Sequence, residues 1–143
     1  MISACRTHYY SGSHHADSAT PAFTHRFTLT LTGKGAHAAR PHEGIDSIVV
    51  GSHIITALAT LMQQTTRKGP VARITVTRFL AGNSWNVLPP QAQVEGVLLA
   101  EDVAVRRQLM LQATTLIAHT AQAFGAQAEI AWQPDSPENA SAG

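Results

Sequence analysis

The loop between residues 33 and 46, GKGAHAARPHEGID, carries the side chains of this sequence that are best suited to chemistry. It places His37 after a glycine-rich turn and His42 after an Arg-Pro pair. Histidine donates, accepts or shares a proton near neutral pH. A donor such as His37, placed where negative charge develops in a dry site, contributes about 3 to 4 kcal/mol to a transition state. The alternative is a loop histidine that caps local backbone groups or faces water.

A second polar loop, AGNSWNVLPP over residues 81–90, contains Trp85 and Asn86. The Asn86 side-chain amide offers both a donor and an acceptor to a ligand, although asparagine beside proline is usually turn chemistry. Trp85 has three interpretations: an exposed aromatic wall for a substrate, an anchor at a protein interface, or a packing residue.

The two histidines of the first loop have the spacing His-x4-His, which raises the question of a metal site. Pro41 lies between them and forbids a regular helix there. Glu43 and Asp46 would complete a ligand set only in an unusually tight loop. We therefore expect His42 to be structural and this chain to hold no metal ion.

The elements that must position these loops follow from the hydrophobic periods. Alternating apolar and polar residues predict four strands. They lie near residues 27–31, 71–80, 94–98 and 128–132. Two stretches with a helical period predict two helices. The first is capped by Asp46 or Ser47, and the second begins at Asp102 and is closed by Gly125.

The order β-α-β-β-α-β predicts an α+β fold, a ferredoxin-like sandwich with an antiparallel four-stranded sheet and two helices on one face. Residues 1–24 lack a sustained period, and we expect a flexible N-terminal segment. Residues 25–133 form the predicted domain. The composition of residues 134–143 predicts a disordered tail or linker.

The composition excludes several classes of partner. The 143 residues include ten Lys and Arg and nine Asp and Glu, and only 13% are charged, about half the usual share. We therefore expect no nucleic-acid or membrane partner, and the sparse charge hints at a surface covered by another protein. Cys5 is the single cysteine, so no internal disulfide forms. No secretory signal or spanning stretch is evident, which predicts the cytoplasm.

The GKGAHA turn containing His37 and the GNSWNVLP stretch containing Asn86 together resemble the signature of one domain family. It is the small domain of zinc-dependent amidohydrolases, the aminoacylase, carboxypeptidase and hippurate-hydrolase family, and the resemblance spans about residues 25–133. It implies a dimerisation or lid domain of an enzyme that hydrolyses N-acyl amino acids or peptide amides. The resemblance implies that His37 reaches into the partner subunit's active site, where it holds the substrate carbonyl and the oxyanion. It also implies that Asn86 hydrogen-bonds the substrate.

The resemblance also implies where the cofactor and partners lie. Two zinc ions, held by His, Asp and Glu ligands, are expected in a catalytic domain outside this chain, so the chain itself has no cofactor and no hydrolytic activity alone. The implied partners are a second copy of the chain and the catalytic domain of the parent amidohydrolase. We expect the copies to pair through a sheet edge, strand 71–80, and the adjacent helix, residues 46–64.

One position departs from the family pattern. The family carries Gly-Thr-Val-Arg after its third strand, whereas the corresponding run here ends in Leu99. Arg106 and Arg107 follow a helical turn or more later and cannot be assumed to replace the arginine.

Two other functions are compatible with the sequence. The first is a non-catalytic ferredoxin-like module for small-molecule sensing or dimerisation, in which the 33–46 loop binds a metabolite. The second is a folded domain without activity of its own. This alternative stays open because a fold alone specifies no function.

Overall fold

The computed structural model describes residues 6–9, 23–65 and 72–134. In chain order the elements are β1 Arg6–Tyr9, β2 Phe23–Thr32, β3 Ala36–His37, a 3-10 turn Pro41–Glu43, α1 Ser47–Thr65, β4 Ala72–Ala81, β5 Val87–Leu88, β6 Gln91–Ala100, α2 Val103–Ala123 and β7 Gln127–Pro134.

Five strands form one mixed sheet in the order β1-β7-β2-β6-β4, and β3 and β5 form a separate two-stranded sheet. Neighbours among β7, β2, β6 and β4 are antiparallel, whereas β1 runs parallel to β7. The predicted α+β class with two helices is confirmed. The prediction of a purely antiparallel, four-stranded sheet is wrong because β1 adds a fifth, parallel strand.

The additional strand β1 lies within residues 1–24, for which the sequence predicts no regular structure. The segment reads RTHY and does not alternate apolar with polar residues, so local pattern does not reveal the strand. β2 begins at Phe23, close to the predicted domain start. The predicted tail falls almost wholly in residues 135–143, which lie outside the described residues.

The hydrophobic core lies between one face of the sheet and the two helices. The helices pack against each other and against this face, so every second residue of the central strands is buried beneath them. The Phe27 and Trp132 rings lie 5.4 Å apart in this layer. Gly96 allows the close fit, because a Cβ at that position would come 2.6 Å from the Phe27 ring. The largest fully buried side chains are Leu29, Leu31, Ile54, Leu98, Leu109, Ile117, Ile130 and Trp132.

Both helices begin at the predicted caps. The Asp46 carboxylate accepts a hydrogen bond from the backbone N–H of Ile48 at 2.9 Å. The Asp102 carboxylate accepts one from the N–H of Ala104 at 2.6 Å. Gly125 has the positive φ, 73°, that the predicted helix-closing position requires.

Neither of the helices in the described ranges combines the length and the apolar character needed to cross a membrane.

Replacing the second cap tests this account of helix formation. Asp102→Ala removes the acceptor for two backbone N–H groups at the start of α2, so the free energy of unfolding should fall by about 1 kcal/mol. Glu101→Ala, one residue earlier at an exposed position, should change it by no more than about 0.5 kcal/mol. Urea unfolding of both variants checks this, and equal losses would contradict it.

Candidate functional site

The pairing of β3 with β5 brings the two candidate loops together. His37 lies opposite Val87 in this two-stranded sheet. Just beyond the pair, the Ala38 N–H donates a hydrogen bond to the Asn86 carbonyl oxygen at 2.9 Å. His37 and Asn86, which the sequence separates, are therefore backbone neighbours across one short ladder.

The base of the first loop is closed by its own backbone. The N–H groups of Lys34 and Ile45 each donate to the other residue's carbonyl oxygen, at 3.0 Å and 2.8 Å. Gly33 fits against this closure, because a Cβ there would collide with the Ile45 carbonyl oxygen. The Gly33 N–H also donates to the Pro90 carbonyl oxygen at 2.7 Å, so the closed loop is tied to the second loop.

Helix α1 positions both loops through its first residue. The Ser47 hydroxyl is fully buried and donates a hydrogen bond to the Pro89 carbonyl oxygen at 2.7 Å. The sequence offered Ser47 only as an alternative cap, because nothing local shows a partner 42 residues away. Since Ser47 directly follows the first loop and Pro89 belongs to the second, this bond fixes their relative placement.

The His37 imidazole is exposed, and its tautomer is set by a neighbouring backbone group. The Ala39 N–H donates to His37 Nδ1 at 3.1 Å, so Nδ1 acts as the acceptor. In a neutral imidazole the proton then resides on Nε2. His37 thus presents an Nε2–H donor.

The Asn86 side chain is half-buried and oriented by Ser84. The Ser84 hydroxyl donates to Asn86 Oδ1 at 2.8 Å, which leaves the Nδ2 amide as the end that donates to a ligand. The sequence analysis missed Ser84, although a hydroxyl residue two positions before an asparagine is a usable signal. His37 and Asn86 thus each offer an N–H group of the kind that a carbonyl oxygen accepts.

Trp85 directly precedes Asn86 in the chain and is 95% exposed. The packing interpretation is therefore wrong within the described domain. Contact with a substrate and contact with another protein are the two interpretations that remain.

His42 and Glu43 belong to the exposed 3-10 turn, where Glu43 pairs with Arg40 at 3.8 Å. Across residues 6–9, 23–65 and 72–134, no three His, Cys, Asp or Glu side chains come close enough together to hold a metal ion. The described side chains therefore do not fit a dinuclear metal centre.

Leu99 lies on β6, next to the buried Leu98, and so points to the face away from the helices. Arg106 and Arg107 belong to α2, on the opposite side of the sheet. They do not replace an arginine at the position of Leu99.

A surface groove of about 510 Å³ lies at the ends of β2, β4 and β6, lined by residues that include Thr30, Leu80, Gln91 and Gln93. His37 and Asn86 are not part of its lining, so the groove and the paired donors are separate features.

Residues 24–124 match the family described as the peptidase dimerisation domain. N-acetyl-L-cysteine deacetylase of Bacillus subtilis (strain 168) is 34% identical over 112 residues, which are 78% of this chain and 27% of that protein. N-acyl-L-amino acid amidohydrolase of Geobacillus stearothermophilus is 31% identical over 105 residues, 73% of this chain and 28% of that protein.

A solved structure gives the same result. The Bacillus subtilis YXEP protein, described as a dinuclear metal-binding peptidase from the M20 family, has a TM-score of 0.61 at 30% identity. The match covers 79% of this chain and 26% of that one. The chain therefore belongs to the peptidase dimerisation domain family of M20 enzymes, as the sequence resemblance predicts. It spans between a quarter and a third of the length of the relatives named here.

The link between α1 and the second loop yields a test with a matched control. Ser47→Ala leaves the buried Pro89 carbonyl without its donor, so the free energy of unfolding should fall by about 1 to 3 kcal/mol. The backbone amide resonances of Ala38 and Val87 should also shift. Ser52→Ala removes an exposed hydroxyl that bonds only to the preceding helical turn, so it should change stability by less than about 0.5 kcal/mol. Urea unfolding and NMR check both; unchanged loop resonances in Ser47→Ala would contradict the proposed link.

Proposed function

We propose that this chain is the dimerisation, or lid, domain of a zinc-dependent amidohydrolase that acts on N-acyl amino acids or peptide amides in the cytoplasm. Two copies pair as a homodimer, and each supplies His37 and Asn86 to the active site of its partner. The observation that carries this proposal is the β3–β5 pairing, which brings together the backbones of His37 and Asn86, each with a side-chain N–H donor oriented by its own hydrogen bond.

The proposed role of these donors requires catalytic groups that another domain supplies. When water attacks an amide carbon, negative charge develops on the carbonyl oxygen, and preorganised N–H donors stabilise that charge. His37 Nε2–H and Asn86 Nδ2–H are such donors. The described side chains do not fit a metal site, so we place zinc and the remaining catalytic groups in the catalytic domain, outside this chain. The chain alone is then inactive.

The topology supports the proposed ferredoxin-like core. The sequence β2-α1-β4-β6-α2-β7 gives four adjacent antiparallel strands in the order β7-β2-β6-β4, and both helices lie on one face. His25 at the start of β2 pairs with Pro134 at the end of β7. The start of β2 and the end of β7 therefore lie side by side in the sheet.

The predicted dimer surface consists of the β4 edge and the exposed side of α1. β4 is a terminal strand of the sheet. α1 contains no charged residue among its 19 positions. The hydroxyls of Ser52, Thr56 and Thr60 donate to carbonyls of their own helix, at 2.8, 2.9 and 3.1 Å. Because these polar groups are already hydrogen-bonded, burying this helix surface carries a small desolvation penalty.

The sensing-module alternative places a metabolite in the 33–46 loop. The 510 Å³ groove is lined by strand residues and the following loop instead, so it does not support that alternative.

Light scattering tests the dimer over a wide concentration range. We expect a mass near twice 15.2 kDa. Thr56→Glu places a charge on the uncharged side of α1 and should raise the dimer dissociation constant at least tenfold, or about 1.4 kcal/mol. Thr115→Glu, at an exposed position of α2, is the matched control and should leave it unchanged. A strict monomer, or equal effects of both substitutions, would contradict the proposed surface.

A hybrid enzyme tests the donor role of His37. In the hybrid, residues 24–134 replace the dimerisation domain of N-acetyl-L-cysteine deacetylase. His37→Ala removes one donor to the developing oxyanion, so kcat should fall by about 10²- to 10³-fold. His42→Ala, in the same loop, is the control and should retain activity within about twofold.

Mixed hybrids test action across the dimer. A His37→Ala hybrid mixed with one inactivated in its catalytic domain should regain activity, because one intact composite site forms per mixed dimer. No recovery would contradict action in trans. Hydrolysis of an N-acyl amino acid by the 143-residue chain alone would contradict the proposal that the chain is inactive.

A further inference from the structure

Trp85 presents a large apolar side chain at the candidate site. Its exposed fraction is 95%, whereas Trp132 is 1% exposed in the core. An aromatic side chain of this kind buries about 150 to 250 Å² when it is covered. The hydrophobic effect acts only when a ligand or another protein removes that surface from water.

The backbone around Trp85 is fixed although its indole is exposed. Ser84 and Asn86, on either side, are joined by a 2.8 Å hydrogen bond between their side chains. The Asn86 carbonyl is also held by the Ala38 N–H. The indole therefore extends from the same constrained turn that presents the Asn86 amide.

Val87 is a second exposed apolar residue, next to Asn86 in the chain. Val87 is 42% exposed and lies directly opposite His37 in the β3–β5 ladder. Trp85 and Val87 flank Asn86 and are thus the apolar chain neighbours of one proposed carbonyl donor, and Val87 is also the ladder partner of the other. Arg40 and Glu43 of the His37 loop form an ion pair at 3.8 Å, so their charges offset each other.

The chemistry of the proposed substrate matches this arrangement. In an N-acyl amino acid, the side chain branches from the carbon attached to the amide nitrogen, two bonds from the carbonyl carbon. We therefore take the residues next to the carbonyl donors in the chain as candidates for contact with that side chain. A flat indole packs favourably against aromatic or large aliphatic groups.

We propose that Trp85 is a specificity-determining residue that contacts the substrate side chain and favours N-acyl amino acids with aromatic or large aliphatic side chains. The inference rests on the proposed function, because Trp85 reaches a substrate only if His37 and Asn86 do. The competing role of Trp85 is an anchor on the partner's catalytic domain. Loss of such an anchor would lower kcat/KM for all substrates alike, whereas loss of a specificity contact would change the ratio between substrates.

The test compares N-acetyl-L-phenylalanine with N-acetyl-L-alanine in the hybrid enzyme. We expect Trp85→Ala to lower the ratio of their kcat/KM values at least tenfold, within the range that one apolar contact provides. Activity on the alanine compound should stay within about twofold. Trp85→Phe retains an aromatic surface and should keep most of the preference. Melting temperature and light scattering confirm that both variants fold and dimerise like the parent.

Each outcome decides between the proposals. An unchanged ratio overturns the specificity role. Equal loss on both substrates, with a weakened dimer, assigns Trp85 to the protein interface and also overturns it. If the parent hybrid is inactive, or if His37→Ala has no effect, the proposed function fails and this inference fails with it. An active hybrid that depends on His37 but not on Trp85 removes only the specificity role.

Discussion

The hydrogen bond between the Ser47 hydroxyl and the Pro89 carbonyl joins the first turn of α1 to the loop that carries Asn86. It is buried, so water does not compete for either group, and breaking it leaves an unsatisfied carbonyl. The same stretch of chain holds His37, whose loop closes just before the helix begins. The relative position of the two donor side chains therefore depends on this contact and on the short β3–β5 ladder beside it.

The orientation of each donor has a separate cause. A backbone N–H from Ala39 sets the His37 tautomer, and the Ser84 hydroxyl selects the free end of the Asn86 amide. Neither interaction uses a charged group. This preorganisation matters for the proposed function, because donors already held by hydrogen bonds need less rearrangement when charge develops on a bound oxygen. The family membership is shown by the match over residues 24–124, whereas the roles of these side chains are our proposal.

The sheet and helices support the two loops that carry His37 and Asn86. The sheet and helices bury one continuous cluster of apolar side chains, which includes Phe27 and Trp132. The edge strand β4 and the uncharged α1 lie beside it and form the surface proposed for a second copy. The sparse charge of the sequence is consistent with this, since a helix without charged residues is better suited to a protein contact than to water.

The sequence by itself determined the features that depend on near neighbours. Alternation and helical period located the four main strands and both helices, and the caps at Asp46 and Asp102 and the turn at Gly125 follow from residues within a few positions. The motif residues were also visible, because their types and spacing are local. Only the tertiary structure decided the parallel strand β1, the pairing of His37 with Val87, the Ser47–Pro89 bond and the exposure of Trp85. These join segments distant in sequence or depend on what covers a side chain, and a local pattern carries no information about which distant backbone closes onto it.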